Sequence, residues 1–101
     1  MELFEIIIGL AVCFAVSAFF ILLFADVLGW FEARSTLRAS DADNIAVTIK
    51  ECWDSGNYRT VQGVFNTRTS QLADARRVKS QDVDDELRRL HADKPMVVYQ
   101  E

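Results

Sequence analysis

Residues Ile6 to Ala25, IIIGLAVCFAVSAFFILLFA, run for twenty positions without a charged side chain. An α-helix needs about 20 mostly apolar residues to cross the hydrocarbon core of a bilayer. A helix also satisfies its own backbone hydrogen bonds, as lipid demands. The run therefore predicts one transmembrane helix, retained in the mature chain. A cleaved signal peptide would need a basic flank and a shorter apolar core. The flank here carries Glu2 and Glu5 and no Lys or Arg.

All 11 basic residues follow the apolar run, beginning with Arg34. The positive-inside rule then places the N-terminus outside and the C-terminal segment inside, in cytoplasm or in an organelle's matrix or stroma. Trp30 and Phe31 fall where an aromatic belt would lie, and Arg34 and Arg38 where cations meet lipid phosphates. Asp26 reads as a carboxylate reaching water at the interface. Gly9, Cys13 and Ser17 recur every four residues, a spacing that lets a second helix approach closely. Cys52 is remote from Cys13, so no disulfide is expected.

About 70 residues remain outside the anchor, enough for one small domain. Ser40-Asp41-Ala42-Asp43 resembles a helix start, with Ser40 as cap and Asp43 in the capping-box position. Ile45, Ile49, Cys52 and Trp53 follow as an amphipathic helical stripe. Ser55-Gly56-Asn57 reads as its end. Val61, Val64, Phe65, Leu72 and Ala75 suggest a second helix. Val83, Leu87 and Leu90 suggest a third, with acids at its start and Arg88, Arg89 and His91 at its end, as the helix dipole favours. Pro95 stops it, leaving the apolar strip Met96-Val97-Val98-Tyr99 as a tail able to dock or to extend a sheet edge.

The segment from Trp53 to Phe65, with Gly56-Asn57-Tyr58 at its turn, resembles the turn of a tetratricopeptide-type helical hairpin. Val61 stands where such hairpins usually have alanine, and no second copy is present. The resemblance implies a helical hairpin. The expected architecture is thus mainly α: an anchor over 1–31, amphipathic extramembrane helices over 32–94 and a short extended tail over 95–101.

No catalytic or cofactor chemistry emerges. His91 is the one histidine and reads as a helix-end cation; zinc or haem would need more ligands. The four glycines form no phosphate loop, and the acids from Asp82 to Glu86 lack the spacing of a calcium loop. Arg76-Arg77-x-Lys79 and Arg88-Arg89 are basic clusters, but the intervening acids and a pI near 4.9 argue against nucleic acid. The composite expectation is a non-catalytic accessory subunit of a larger membrane complex of respiratory, photosynthetic or transport type. Its partners would be other subunits and the bilayer, with Trp53, Tyr58, Phe65, Val97, Val98 and Tyr99 as docking residues. The alternative is a free-standing single-pass regulator that homodimerises and presents the hairpin to a soluble partner.

Overall fold

The structure, a computed structural model, describes residues 2–12 and 14–99. Its framework is a five-stranded sheet in the order β1-β4-β3-β2-β5. In chain order the elements are α1 (Leu3–Ala11), β1 (Ala15–Leu22), α2 (Phe24–Glu32), α3 (Ser35–Ala39), β2 (Asn44–Asp54), β3 (Asn57–Asn66), β4 (Gln71–Val83), α4 (Asp85–His91) and β5 (Met96–Tyr99). β1 runs parallel to β4, and the other neighbours are antiparallel.

The mainly helical expectation is overturned. The stretch read as a helical stripe is β2, and the segment read as a second helix is divided between β3 and β4. Ile45, Val47, Thr48 and Ile49 are β-branched, which suits a pleated strand. Ala46 packs on one face of the sheet and Val47 and Ile49 on the other. A strand buried on both faces shows no clean alternation, so spacing alone does not separate it from a helix. The tetratricopeptide-like turn is a β-hairpin: Asp54 pairs with Asn57, leaving Ser55 and Gly56 as a two-residue loop. Gly56 has φ +77° while Ser55 is not left-handed, the pattern of a turn whose second loop position favours glycine.

The expected transmembrane helix is likewise overturned. Its residues are divided among α1, β1 and the start of α2, and no helix among the described residues is long and apolar enough to cross a membrane. There is accordingly no single span for an outside–inside orientation to refer to. The β-branched and aromatic residues between Phe14 and Ile21 are good strand formers. The two flanking helices begin at acids: Glu2 N–H donates to Glu5 Oε1 at 3.2 Å, and Leu23 N–H to Asp26 Oδ2 at 3.1 Å. Asp26 thus caps a helix start rather than marking a lipid interface.

The apolar residues of this segment are spent on both faces of the sheet. Ile7 and Ala11 of α1 pack with Val47, Ile49, Val61, Phe65 and Ala75. Val27 and Phe31 of α2 pack on the opposite face with Leu22, Ala46, Tyr58, Val78, Val83 and Leu87. β1 carries the chain from one face to the other along the sheet edge. α4 closes the second face, its start capped by Asp84, whose Oδ1 accepts from Leu87 N–H at 3.0 Å. The other oxygen, Oδ2, accepts from Phe24 N–H at 2.8 Å, so one carboxylate serves the first turns of both α4 and α2.

Three consequences are measurable by denaturant unfolding. Gly56→Ala has open space for its methyl group but forces a left-handed alanine, and should destabilise the fold by about 1 kcal/mol. Gly29→Ala, in α2 with equally open space, should instead stabilise by up to ~1 kcal/mol. Asp84→Ala removes two caps together and should cost about 2 kcal/mol; a loss no larger than that of one exposed cap would show that the bond to α2 contributes nothing.

Candidate functional site

Three places combine polar chemistry or uncovered surface. The first is a buried hydrogen-bond chain between β2, α4 and β5. Thr48 Oγ1 lies 2.9 Å from His91 Nε2 and 3.0 Å from the Tyr99 hydroxyl. His91 Nδ1 lies 3.2 Å from the Lys94 carbonyl oxygen. A carbonyl only accepts, so Nδ1 carries the proton and Nε2 is bare. Thr48 therefore donates to His91, and the Tyr99 hydroxyl donates to Thr48. Thr48 and His91 are wholly buried, and Trp53 stands edge-on to the imidazole with ring centroids 5.0 Å apart.

A threonine hydroxyl donating to an imidazole is the arrangement of an activated nucleophile. Here the hydroxyl is sealed inside the sheet, so the chain ties α4 and β5 to β2 instead of addressing a substrate. His91 is thus a buried neutral ring and not the helix-end cation expected. Burial pushes its pKa below the ordinary histidine value; the bond to the Lys94 carbonyl opposes the shift and the Lys50 ammonium adds to it. Burial pushes the Tyr99 hydroxyl up.

The second place is an open hollow of about 320 Å³ lined by Ser40, Asp41, Asn44, Asn66, Thr69 and Gln71. Asn66 Nδ2 donates to Asp41 Oδ2 at 3.0 Å and to Asn44 Oδ1 at 2.8 Å. Its Oδ1 accepts from the backbone N–H groups of Arg68 and Thr69. Arg68 pairs with Asp41 at 2.7 Å and Asp43 at 3.1 Å. The Asp43 N–H, Arg68 and Asn66 hold the Asp41 carboxyl below its usual range. These groups already satisfy one another and shape the β3–β4 turn, where Ser70 takes φ +57°. The hollow is a by-product of that turn.

The third is the flank built by the N-terminal segment. Among the described residues, eight of the nine exposed large hydrophobics fall between Ile6 and Leu28. Phe20 is 70% exposed and Val16 58%. Val16 and Ala18 sit beside Arg77 and Lys79 of β4, and Arg77 sits beside Val61, which α1 covers. They therefore share the α1 face of the sheet, and Phe20, the next alternate residue after Ala18, joins them; the alternation ends there, since Leu22 is buried on the α2 side. Arg59, opposite Lys79, belongs to the same half. Arg77 Nε is 3.0 Å from Glu51 Oε1, an ion pair whose angles do not make a hydrogen bond.

The expected site residues are scattered by this fold. Gly9 lies on α1 and Ser17 on β1, so one helix does not align them; Cys13 lies outside the described residues. Trp30, Phe31, Arg34 and Arg38 form no lipid belt. Phe31 is core, and Arg34 stacks 3.8 Å from the Trp30 ring while pairing with Asp74 at 2.7 Å. Arg38 reaches the Tyr99 carbonyl at 3.5 Å. Tyr58 and Phe65 are buried, and Trp53 is half-buried with its Nε1–H on Thr60 Oγ1 at 3.0 Å. Val97, Val98 and Tyr99 do extend a sheet edge, that of their own β2. The exposed flank was missed; its signal was the surplus of apolar side chains in the N-terminal third.

The chain of Thr48, His91 and Tyr99 makes stability depend on pH. The His91 pKa is depressed in the fold, so the unfolded chain takes up the proton first. Its contribution is complete above ~6.5 and is lost as pH falls below that value. His91→Leu should flatten the slope of unfolding free energy between about pH 6.5 and 5. Thr48→Val strands both His91 Nε2 and the Tyr99 hydroxyl, and should destabilise by about 2–3 kcal/mol; an unchanged slope in His91→Leu would refute the assignment. No family model, no curated protein and no solved structure matches this chain.

Proposed function

We propose that this chain is a non-catalytic accessory module that works by docking to other protein, through the flank formed by β1 and the adjoining apolar residues. One observation carries the reading: exposed large hydrophobics are concentrated in one third of the chain and include a strand at the sheet edge. Contiguous exposed apolar surface usually marks an interaction site. An edge strand adds a row of free backbone donors and acceptors ready to pair. The buried hydrogen-bond chain and the polar hollow, by contrast, are occupied by the fold's own contacts.

The role resembles that of an assembly subunit. It binds the assembled state in preference to the parts and stabilises it by mass action. The cations Arg59, Arg77 and Lys79 beside Val16 and Phe20 give the flank a polar rim around an apolar centre, as protein interfaces commonly have.

The test is gentle extraction from the native source, native separation and mass spectrometry of the species carrying this chain. The expected result is a defined assembly, with amides 15–22 exchanging more slowly there than in the isolated chain. A lone monomer whose β1 amides exchange equally in both settings would overturn the reading.

A further inference from the structure

Among the described residues, β1 carries none of the devices that ordinarily guard a strand edge. Natural edges carry lysine, proline, bulges or a covering element. Ala15–Leu22, with the sequence AVSAFFIL, has no charge and no proline, and its paired residues keep one constant offset against β4. Among the described residues, the other side of β1 pairs with no strand. α1 packs over β2, β3 and β4, leaving Val16 and Phe20 uncovered.

Resting on the docking reading above, we propose that the occupant of this edge is β1 of a second copy of this chain. The two strands pair antiparallel about a two-fold axis at Ala18. An axis perpendicular to the sheet makes the contact isologous and joins two five-stranded sheets into one of ten strands. Both copies of α1 then lie on the same side. Residues sharing a face must meet across the axis. With Ala18 against itself, Val16 stands opposite Phe20 of the second copy, and Phe20 opposite its Val16. Aromatic with β-branched is a favourable cross-strand combination, and the symmetry makes it twice.

Charge and area select a second copy. β1 itself carries no charge to repel its copy, whereas most unlike edges carry charged side chains; the nearest cations on that face, Arg77 and Lys79, stand one strand back from the axis on β4, and Arg77 is already paired with Glu51. The exposed side chains of Val16 and Phe20 on the α1 face, Ile21 on the other face, and Val12 and Leu23 at the two ends of β1 together expose on the order of 500 Å² per copy along this edge. Doubled, with the strand backbone added, that supplies at most roughly the 1,000 Å² at which specific interfaces begin, the size of a concentration-dependent dimer. The pairing also consumes the free β1 edge, so the assembly closes at two.

The experiment is light scattering of the purified full chain across a concentration series, with two double variants at exposed positions. Wild type should approach twice the monomer mass. Val16→Lys with Phe20→Lys sets like charges across the axis and should weaken dimerisation at least ten-fold. Val16→Lys with Phe20→Glu sets opposite charges across it and should recover about ten-fold over the first variant. Amide exchange in wild type should slow at 15–22 with rising concentration and stay constant at 96–99. A wild-type monomer at every concentration overturns the proposal; if it still enters a defined native assembly, the docking reading stands alone. A dimer equally tight in both variants, or open-ended growth, overturns the β1 pairing.

Discussion

A sheet has two faces, and the four strands after residue 43 have too few large apolar side chains in their connecting segments to cover either. The structure depends on how the N-terminal segment solves this. α1 lies across one face and α2 across the other, and β1 is the link that takes the chain around the edge between them. Among the described residues, five of the sixteen buried hydrophobic residues come from this segment: Ile7, Ala11, Leu22, Val27 and Phe31. Asp84 completes the arrangement by bonding the first turn of α2 to the first turn of α4. Hydrophobic burial scales with area removed from water, so losing this segment would uncover both cores together.

Sequence reasoning reached α4, because its signals are local. Acids stand at its start, Arg88, Arg89 and His91 at its end, and Asp84 caps it. It failed at β2 and β3 because both faces of those strands are buried. Ile45 and Ile49 then look like a helical repeat as readily as a strand. β4 is harder still. Its run of Ala73, Ala75, Arg76, Arg77 and Lys79 favours helix by intrinsic propensity, yet it lies inside the sheet with strands on both sides. Tertiary pairing overrides a preference of tenths of a kcal/mol per residue.

The N-terminal run failed for a different reason. Length and lack of charge measure how much apolar surface a segment carries, not what covers it. Twenty apolar residues suit lipid, and they equally suit two helices and a strand wrapped around a sheet deficient in core. His91 shows the same limit at one residue. Its place at a helix end suggested a cation, while its burial beneath Trp53 and its bond from Thr48 make it neutral. Neither partner is close to it in sequence, so no local pattern announces the chain.

The wrapping solution leaves a residue of its own. A strand at the sheet edge, built from a segment apolar on every side, cannot bury both of its faces. Phe19 turns toward the α2 side and packs there, under the guanidinium of Arg76 at 5.4 Å. Val16 and Phe20 turn to the α1 side, beyond the reach of that helix, and stay in water. The feature that supplies the core is thus also the one that creates the exposed flank. Composition links the two: a segment with polar residues at Val16 and Phe20 would close the fold equally well and leave nothing to dock. Their apolar character is therefore not required by folding, and the docking proposed above is the reading that uses it.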